Sequence, residues 1–230
     1  MSEPAVRYCA VIPAFDAERT IGDLVRRIKA LGLHVVVVND GSRDGTAAAA
    51  ADAGALVISH LRNEGKGSAL RTGFAHALRT RYDGVVTLDG DGQHDPAEIP
   101  ELIRQGEHQH AGLVVGNRLT NSAVMPRDRW WVNRLMSAIV SRVAGVTIPD
   151  SQCGFRFMRR ELLQDVPLQA RRFEIETELL CAAATRRWKI ISLPVRSIYL
   201  NHHHSHIRPI RDGLRFLGVI LRCVMLPRKR

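Results

Sequence analysis

Five short runs rich in Val and Ile, at Tyr8 to Ile12, Val35 to Val38, Leu56 to Ser59, Val85 to Leu88 and Leu113 to Val115, alternate with stretches of helical pattern. That alternation is the signature of parallel strands joined by crossover helices, so it predicts an α/β fold with a mostly parallel central sheet. Between the runs, Thr20 to Leu31 sets Ile21, Leu24, Val25, Ile28 and Leu31 on one helical face, with Arg26, Arg27 and Lys29 elsewhere. Gly45 to Ala55 and Ser68 to Arg79 read as further helices. The polar clusters Pro13 to Glu18, Asn39 to Asp44, Arg62 to Lys66 and Asp89 to Gln93 each follow a strand, where open α/β sheets gather their ligands, so one crevice can hold them all. No internal repeat or linker divides the 230 residues, which predicts one domain over 1–211 and a basic amphipathic helix over 212–230.

Two nucleotide folds lose their support. The first strand runs into IPAFDAE without Gly-x-Gly-x-x-Gly, which argues against a dinucleotide dehydrogenase. In Gly65-Lys66-Gly67-Ser68 the leading glycine of a phosphate loop is replaced by His60. The formal charge of +10 and pI near 10.3 make phosphorylated substrates, anionic lipid or nucleic acid plausible partners. Cys9, Cys153, Cys181 and Cys223 lie far apart, which suits reduced thiols in the cytoplasm better than a disulfide framework or zinc site. The sequence shows neither a secretory leader nor about 20 consecutive apolar residues that would span a bilayer.

Chemistry concentrates in VVTLDGDGQHDP, Val85 to Pro96, where an apolar run ends in Asp89, Asp91 and Asp95. On an extended segment Asp89, Asp91 and Gln93 would point the same way and converge on a hard divalent ion, while Gly90 and Gly92 leave room for a phosphate ligand. A solvated acidic turn is the competing reading. Asp95, before Pro96 and three residues ahead of Glu98, reads as a helix N-cap. His94 reads as a loop residue outside the site, since histidine is a poor Mg²⁺ ligand.

In order and at similar spacing, VIPAFDAE, VVVVNDGSRDGT, RNEGKGSALRTGF, LDGDGQHDP, VVGNR and DSQCGFRFMRR resemble the family 2 glycosyltransferases of the GT-A fold. Within them the closest likeness is to dolichyl-phosphate mannose synthases and other polyprenyl-phosphate glycosyltransferases. The resemblance covers residues 8 to 208. It implies a Rossmann-like GT-A domain and an enzyme that uses a nucleotide sugar with Mg²⁺ or Mn²⁺. By the same resemblance, Pro13, Phe15, Asp16 and Glu18 wall the nucleoside, and Asp40 meets base or ribose. Asp89 lies nearer the sugar, and Asp91 with Gln93 contacts the metal. Asn39 departs from the family's usual Asp-Asp-Gly-Ser. Lys66 is placed to meet the pyrophosphate, with a solvated loop as the alternative. A basic loop over the donor phosphates aligns with Ser205 to Arg208, which nominates His206 and Arg208.

Acceptor chemistry points to arginines, whose planar forks suit phosphate oxygens. Arg118 follows the fifth strand, while Arg127, Arg129 and Arg134 precede Ser137 on a helix with Trp130 and Trp131. In the resembling synthases an Arg and a Ser on this segment hold the lipid phosphate. Their spacing is one residue longer than Arg134 to Ser137, so Asn133 occupies the matching position. Arg156 matches a recurring family Arg, with a salt bridge to Glu174 or Glu176 as its structural competitor. A phosphate acceptor needs positioning and charge neutralisation rather than a general base. A hydroxyl acceptor would need a carboxylate, for which Asp150, Glu174 and Glu176 are available.

Lys189 to Tyr199 reads as another strand. His202, His203, His204 and His206 read as a polar loop at least as well as a zinc site. From Asp212 to Leu226, Leu214, Leu217, Leu221, Val224 and Met225 fall on one side, with Arg211, Arg215 and Arg222 on another. That pattern suits an interfacial helix on anionic lipid, or a helix packed on the core. The expectation is therefore a metal-dependent inverting enzyme at the cytoplasmic membrane face, moving a hexose to a polyprenyl phosphate. Transfer to a saccharide or lipid hydroxyl is the rival enzyme reading. A nucleic-acid-binding module lacks a recognisable motif, and no nucleic acid is expected as a partner.

Overall fold

A computed structural model describes residues 7–120, 125–198 and 209–225. Seven strands form one sheet: β1 (Tyr8–Ala14), β2 (His34–Asn39), β3 (Leu56–Ser59), β4 (Gly84–Thr87), β5 (Leu113–Asn117), β6 (Arg156–Arg159) and β7 (Ile190–Pro194). Their spatial order is β3-β2-β1-β4-β6-β5-β7. All neighbours are parallel except β6, which runs antiparallel between β4 and β5. The expected α/β architecture with a mostly parallel sheet is what the chain forms. Val35 to Val38 are all buried, as befits a strand covered by helices on both faces.

The helices are α1 (Glu18–Ala30), α2 (Thr46–Asp52), α3 (Lys66–Arg79), α4 (Ile99–His108), α5 (Arg127–Ala144), α6 (Arg160–Asp165), α7 (Ile175–Thr185) and α8 (Pro209–Met225). In α1, Ile21, Leu24, Val25 and Ile28 are buried, the face set by their spacing. Asp95 accepts from Ala97 N at 3.1 Å and caps the short 3₁₀ turn that leads into α4, with Pro96 in its first turn. Gly145, left-handed at φ +71, stops α5 and turns the chain back toward β6.

Sheet order creates the crevice. The chain builds β2 and β3 outward on one side of β1 and continues on the other side at β4, so the crossovers diverge at the carboxyl ends of β1 and β4. Because β6 is antiparallel, its beginning reaches this same rim. Thr87 pairs with Arg156, which sets Asp89 across from Gly154.

Helix α8 packs mainly on α7 and also meets α5. Phe216, Val219 and Ile220 are buried, whereas Leu217, Leu221, Val224 and Met225 are exposed and Arg215 and Arg222 lie on a third side. The helix therefore has a core-facing stripe and, beside it, an exposed apolar one. Among the described residues no helix is long and apolar enough to cross a membrane.

Backbone crowding separates two glycines experimentally. A Cβ on Gly67 would stand 2.6 Å from Ala170 O and Arg171 C, whereas one on Gly218 would meet nothing within 4 Å. Gly67→Ala should lower unfolding free energy by about 2 kcal/mol, because main chain must give way. Gly218→Ala should raise it by roughly 0.5–1 kcal/mol, through helix propensity. Urea denaturation monitored by circular dichroism measures both.

Candidate active site

Asp89 stands just past β4, where its carboxylate lies over Gly154. A Cβ at residue 154 would come within 2.7 Å of Asp89 Oδ1 and 2.8 Å of Oδ2. The ammonium of Lys66, the first residue of α3, is 2.6 Å from Asp89 Oδ1 and 2.6 Å from Oε1 of Glu176, in the first turn of α7. Phe173 covers the ammonium, its ring centroid 5.8 Å away. Lys66 is therefore a largely covered, doubly paired cation of the crevice and not a solvated loop residue. Burial alone would push the Asp89 carboxyl up, but Lys66, reinforced by His94 and Arg118, holds it down at about 2. Burial likewise opposes the charge on Lys66, and its two carboxylate partners keep it protonated.

His94, expected outside the site, lies in its wall. The ring is buried, 3.9 Å from Asp89 Oδ2 through Nε2 and tilted against Phe155, and Nδ1 has no hydrogen-bond partner among the described residues. Burial lowers its pKa to about 4, against the opposing pull of Asp89, so the ring is neutral at pH 7.

The alternation argument for Asp89, Asp91 and Gln93 does not hold, because β4 ends at Thr87 and residues 90–92 turn, with Gly92 at φ +73. Asp91 Oδ1 accepts from Gln93 N at 3.0 Å, an Asx turn, and Gln93 O accepts from Ile198 N at 2.9 Å. Thr20 Oγ1 donates to Gly90 O at 2.6 Å and anchors the turn on α1. Among the described residues, no group of three or more His, Cys, Asp or Glu side chains is arranged as a metal cage.

The loops after β1 and β2 are stitched together. Asp16 N donates to Ser42 Oγ while Arg43 N donates to Asp16 Oδ1. Glu18 N donates to Asp44 Oδ2 while Gly45 N donates to Glu18 Oε2. Asp16 adopts φ +49 to do so. Pro13 and Phe15 are half-buried in the same wall. Asp40 is turned inward instead: Oδ1 accepts from Glu64 N and bonds His60 Nδ1, and Oδ2 accepts from Gly65 N at 2.7 Å. Its carboxylate thereby anchors the loop at residues 60–65.

On the acceptor side, Arg118 forms a two-pronged pair with the fully buried Asp150, Nε to Oδ2 at 2.8 Å and Nη2 to Oδ1 at 3.0 Å. Ser137 is buried, and its Oγ accepts from Ser151 N at 2.8 Å, so it acts as an internal tie between α5 and the turn before β6. Arg156 is buried too, and neither salt bridge considered for it forms. Its guanidinium donates to the carbonyls of Cys153, Glu176 and Ser151, each at 2.8 Å. Ser137 and Arg156 thus support the crevice from within. Arg134 is exposed on α5 and stacked 5.1 Å over Trp130, while Asn133 is half-buried one turn before Ser137. His206 and Arg208 lie outside the described residues.

Glu176, expected as a base or as a partner of Arg156, and Asp150, expected as a base, prove to be the partners of Lys66 and Arg118. The DSQCGFRF and RFEIE segments carry Asp150 and Glu176, but nothing local in RFEIE gives a pairing of Glu176 with Lys66 across 110 residues.

The family model for glycosyl transferase family 2 matches residues 9–166. A UDP-N-acetylglucosamine–dolichyl-phosphate N-acetylglucosaminyltransferase of Methanococcus voltae is 28% identical over 234 residues, covering 92% of this chain and 93% of that protein. A polyprenol monophosphomannose synthase of Mycolicibacterium smegmatis is 28% identical over 200 residues, covering 82% of this chain and 74% of that protein. Among solved structures, a glucosyl-3-phosphoglycerate synthase from Mycobacterium tuberculosis, in complex with Mn²⁺, UDP-glucose and phosphoglyceric acid, shares the fold. The TM-score is 0.75 at 23% identity, over 97% of this chain and 81% of that one.

Arg156→Met should cost about 3–5 kcal/mol, because three buried carbonyls lose their donor, and urea unfolding reads the loss. A second outcome concerns pH. The unfolded chain protonates His94 near its ordinary 6.5 and the folded chain only near 4, so the unfolded state binds more protons in between. In chelator-containing buffer, stability should fall by up to about 3 kcal/mol as pH drops from 6.5 to 4. His94→Gln should flatten that decline.

Proposed function

The chain belongs to glycosyl transferase family 2, and from that membership we propose that it moves a hexose from a nucleotide sugar to a polyprenyl phosphate, with inversion at the anomeric carbon. The names of the Methanococcus and Mycolicibacterium relatives support the acceptor class. The observation that carries the reading is charge pairing. Asp89 and Glu176 share Lys66, and Asp150 is clasped by Arg118. A carboxylate held near pKa 2, or buried against a guanidinium, is a poor general base, so the crevice suits an acceptor that arrives already anionic. A phosphate does, and a sugar hydroxyl does not.

In this reading, Pro13, Phe15, Asp16 and Glu18 wall the nucleoside, with Asp40 holding their neighbouring loop in place. Asp89, fixed by Lys66 and Gly154, faces the sugar. Asp91 and Gln93 offer hard oxygen donors on a half-exposed turn. That fits Mg²⁺ or Mn²⁺, which take one or two protein carboxylates together with substrate phosphates. When bound there, the ion supplies positive charge to the departing nucleoside diphosphate. Arg118, oriented by Asp150, and Arg134 with Asn133 on α5 position the acceptor phosphate so that its oxygen attacks in line.

Recruitment to the acceptor follows from the uncovered stripe on α8. Leu217, Leu221, Val224 and Met225 are exposed beside Arg215 and Arg222, and the neighbouring α5 exposes Trp131, Val132 and Leu135. Apolar insertion with basic attraction is the recipe for an interfacial helix, so we assign the enzyme to the cytoplasmic face of an anionic membrane, with no nucleic acid as partner.

A labelled-sugar assay should show transfer to polyprenyl phosphate and none to free glycans; the reverse would reject the acceptor class. In the same assay Asp91→Ala should lower turnover by about 100-fold or more while leaving the circular dichroism spectrum unchanged. Leu217→Glu with Leu221→Glu should reduce flotation with anionic liposomes and leave nucleotide-sugar binding by calorimetry intact. Undiminished flotation would remove α8 from the membrane contact.

A further inference from the structure

His60 follows β3 and ties three elements together. Its backbone N donates to Asn39 O, the last residue of β2, at 2.9 Å. The side chain, 11% exposed, reaches Asp40 Oδ1 through Nδ1 at 2.8 Å and Thr72 Oγ1, on α3, through Nε2 at 3.0 Å. Both ring nitrogens are thus occupied. A carboxylate oxygen only accepts, so Nδ1–H donates to Asp40, whereas the Thr72 hydroxyl can donate or accept and suits Nε2 in either protonation state of the ring.

Asp40 is the pivot of this arrangement. Its own N donates to Ala14 O at 2.8 Å, which sets it against the end of β1, and its carboxylate accepts from His60, from Glu64 N at 2.9 Å and from Gly65 N at 2.7 Å. Gly65 is the N-cap position of α3 and has no side chain with which to cap that helix, so Asp40 supplies an acceptor there from another element. Lys66 comes next in the chain, its ammonium on Asp89. Thr72 lies six residues further along α3, about 9 Å of rise, so the His60 ring grips the same helix at a second point.

We propose that His60 is a positioning residue for the nucleotide sugar: through Asp40 and Gly65 it sets Lys66, and through Lys66 the carboxylate of Asp89. The inference rests on the donor site of the proposed function, in which Asp89 faces the sugar. The group that matters is the donor at Nδ1. Without it Asp40 keeps only the two backbone donors, its carboxylate is freer to rotate, and the turn at 64–65 loosens at the base of Lys66. Arg118 and Arg134 follow β5, which is separated from β2 by β1, β4 and β6, so the effect falls on the donor half of the crevice.

The test compares the full-length wild type with His60→Gln, His60→Asn and Thr72→Val. Asn places an amide N–H where Nδ1 stands and keeps the bond to Asp40; Gln places it where Nε2 stands and leaves Asp40 without that donor. Calorimetry with Mn²⁺ uses UDP-N-acetylglucosamine, UDP-glucose and GDP-mannose in turn, and kinetics with polyprenyl phosphate follow for the sugar that binds. His60→Gln should raise the donor's dissociation and Michaelis constants about 10-fold, with kcat and the acceptor's Michaelis constant within about twofold of wild type, and His60→Asn should restore donor affinity to within about threefold. Thr72→Val, which frees the ring without removing it, should show the same split at about threefold, and it carries the test if urea unfolding finds His60→Gln unfolded. Donor binding left unchanged in folded His60→Gln, equal losses in Asn and Gln, or donor and acceptor constants that worsen together would overturn the positioning role alone. A wild type that binds none of the three sugars would reject the proposed donor site, and this role with it.

Discussion

A single ammonium group organises the crevice. Lys66 starts α3, Asp89 ends the β4 segment and Glu176 starts α7, and its Nζ touches both carboxylates at 2.6 Å. Three elements far apart in sequence therefore share one electrostatic joint. Burying an ammonium is costly unless it is paired, and each carboxylate would be equally costly without it, so the three groups stabilise one another or none of them does. The surrounding backbone is built to admit the joint. Gly65 at φ +101 and Gly67 let the chain at 170–172 pass so closely over the start of α3 that Arg171 O receives a hydrogen bond from Ser68 N at 3.0 Å.

Much of the fold was legible because it is written in local patterns. Val35 to Val38 or Ile21 to Ile28 need no distant information to read as a buried strand and a one-sided helix. The apolar pattern from Lys189 predicts a strand to Tyr199, whereas β7 ends at Pro194 and, among the described residues, a single bridge from Ser197 to His94 continues it. Proline denies the ladder a donor, and that signal was in the sequence. In α8 the spacing marks the apolar stripe through Leu217 and Leu221, whereas Phe216, Val219 and Ile220 are the residues that packing buries. With three stripes on one helix, only packing decides which of two apolar faces is covered.

The site was less legible, for reasons that differ residue by residue. Six motifs located the crevice, and Lys66 and Asp89 do meet in it. Asp40, Ser137 and Arg156 have the right chemistry for ligands, but their hydrogen bonds are satisfied inside the protein by backbone groups that no local pattern names. His94 was judged by metal preference, when its burial beside Asp89 and Phe155 is a tertiary fact. Arg118 was found, but its fixed orientation comes from Asp150, 32 residues later, across the whole of α5.

The pairings around the floor carry a consequence for substrate capture. Lys66, Arg118 and Arg156 bring three positive charges, while Asp89, Glu176 and Asp150 bring three negative ones, and His94 is neutral at pH 7. The floor of the crevice is thus electroneutral in a chain whose formal charge is +10. The protein's long-range field draws anions toward the molecule, but that field ends at a surface with no surplus charge to hold them. For the nucleotide sugar proposed above, retention of the pyrophosphate would then fall to cations that are added or rearranged at the rim, which makes the grip adjustable without disturbing the pairs on the floor.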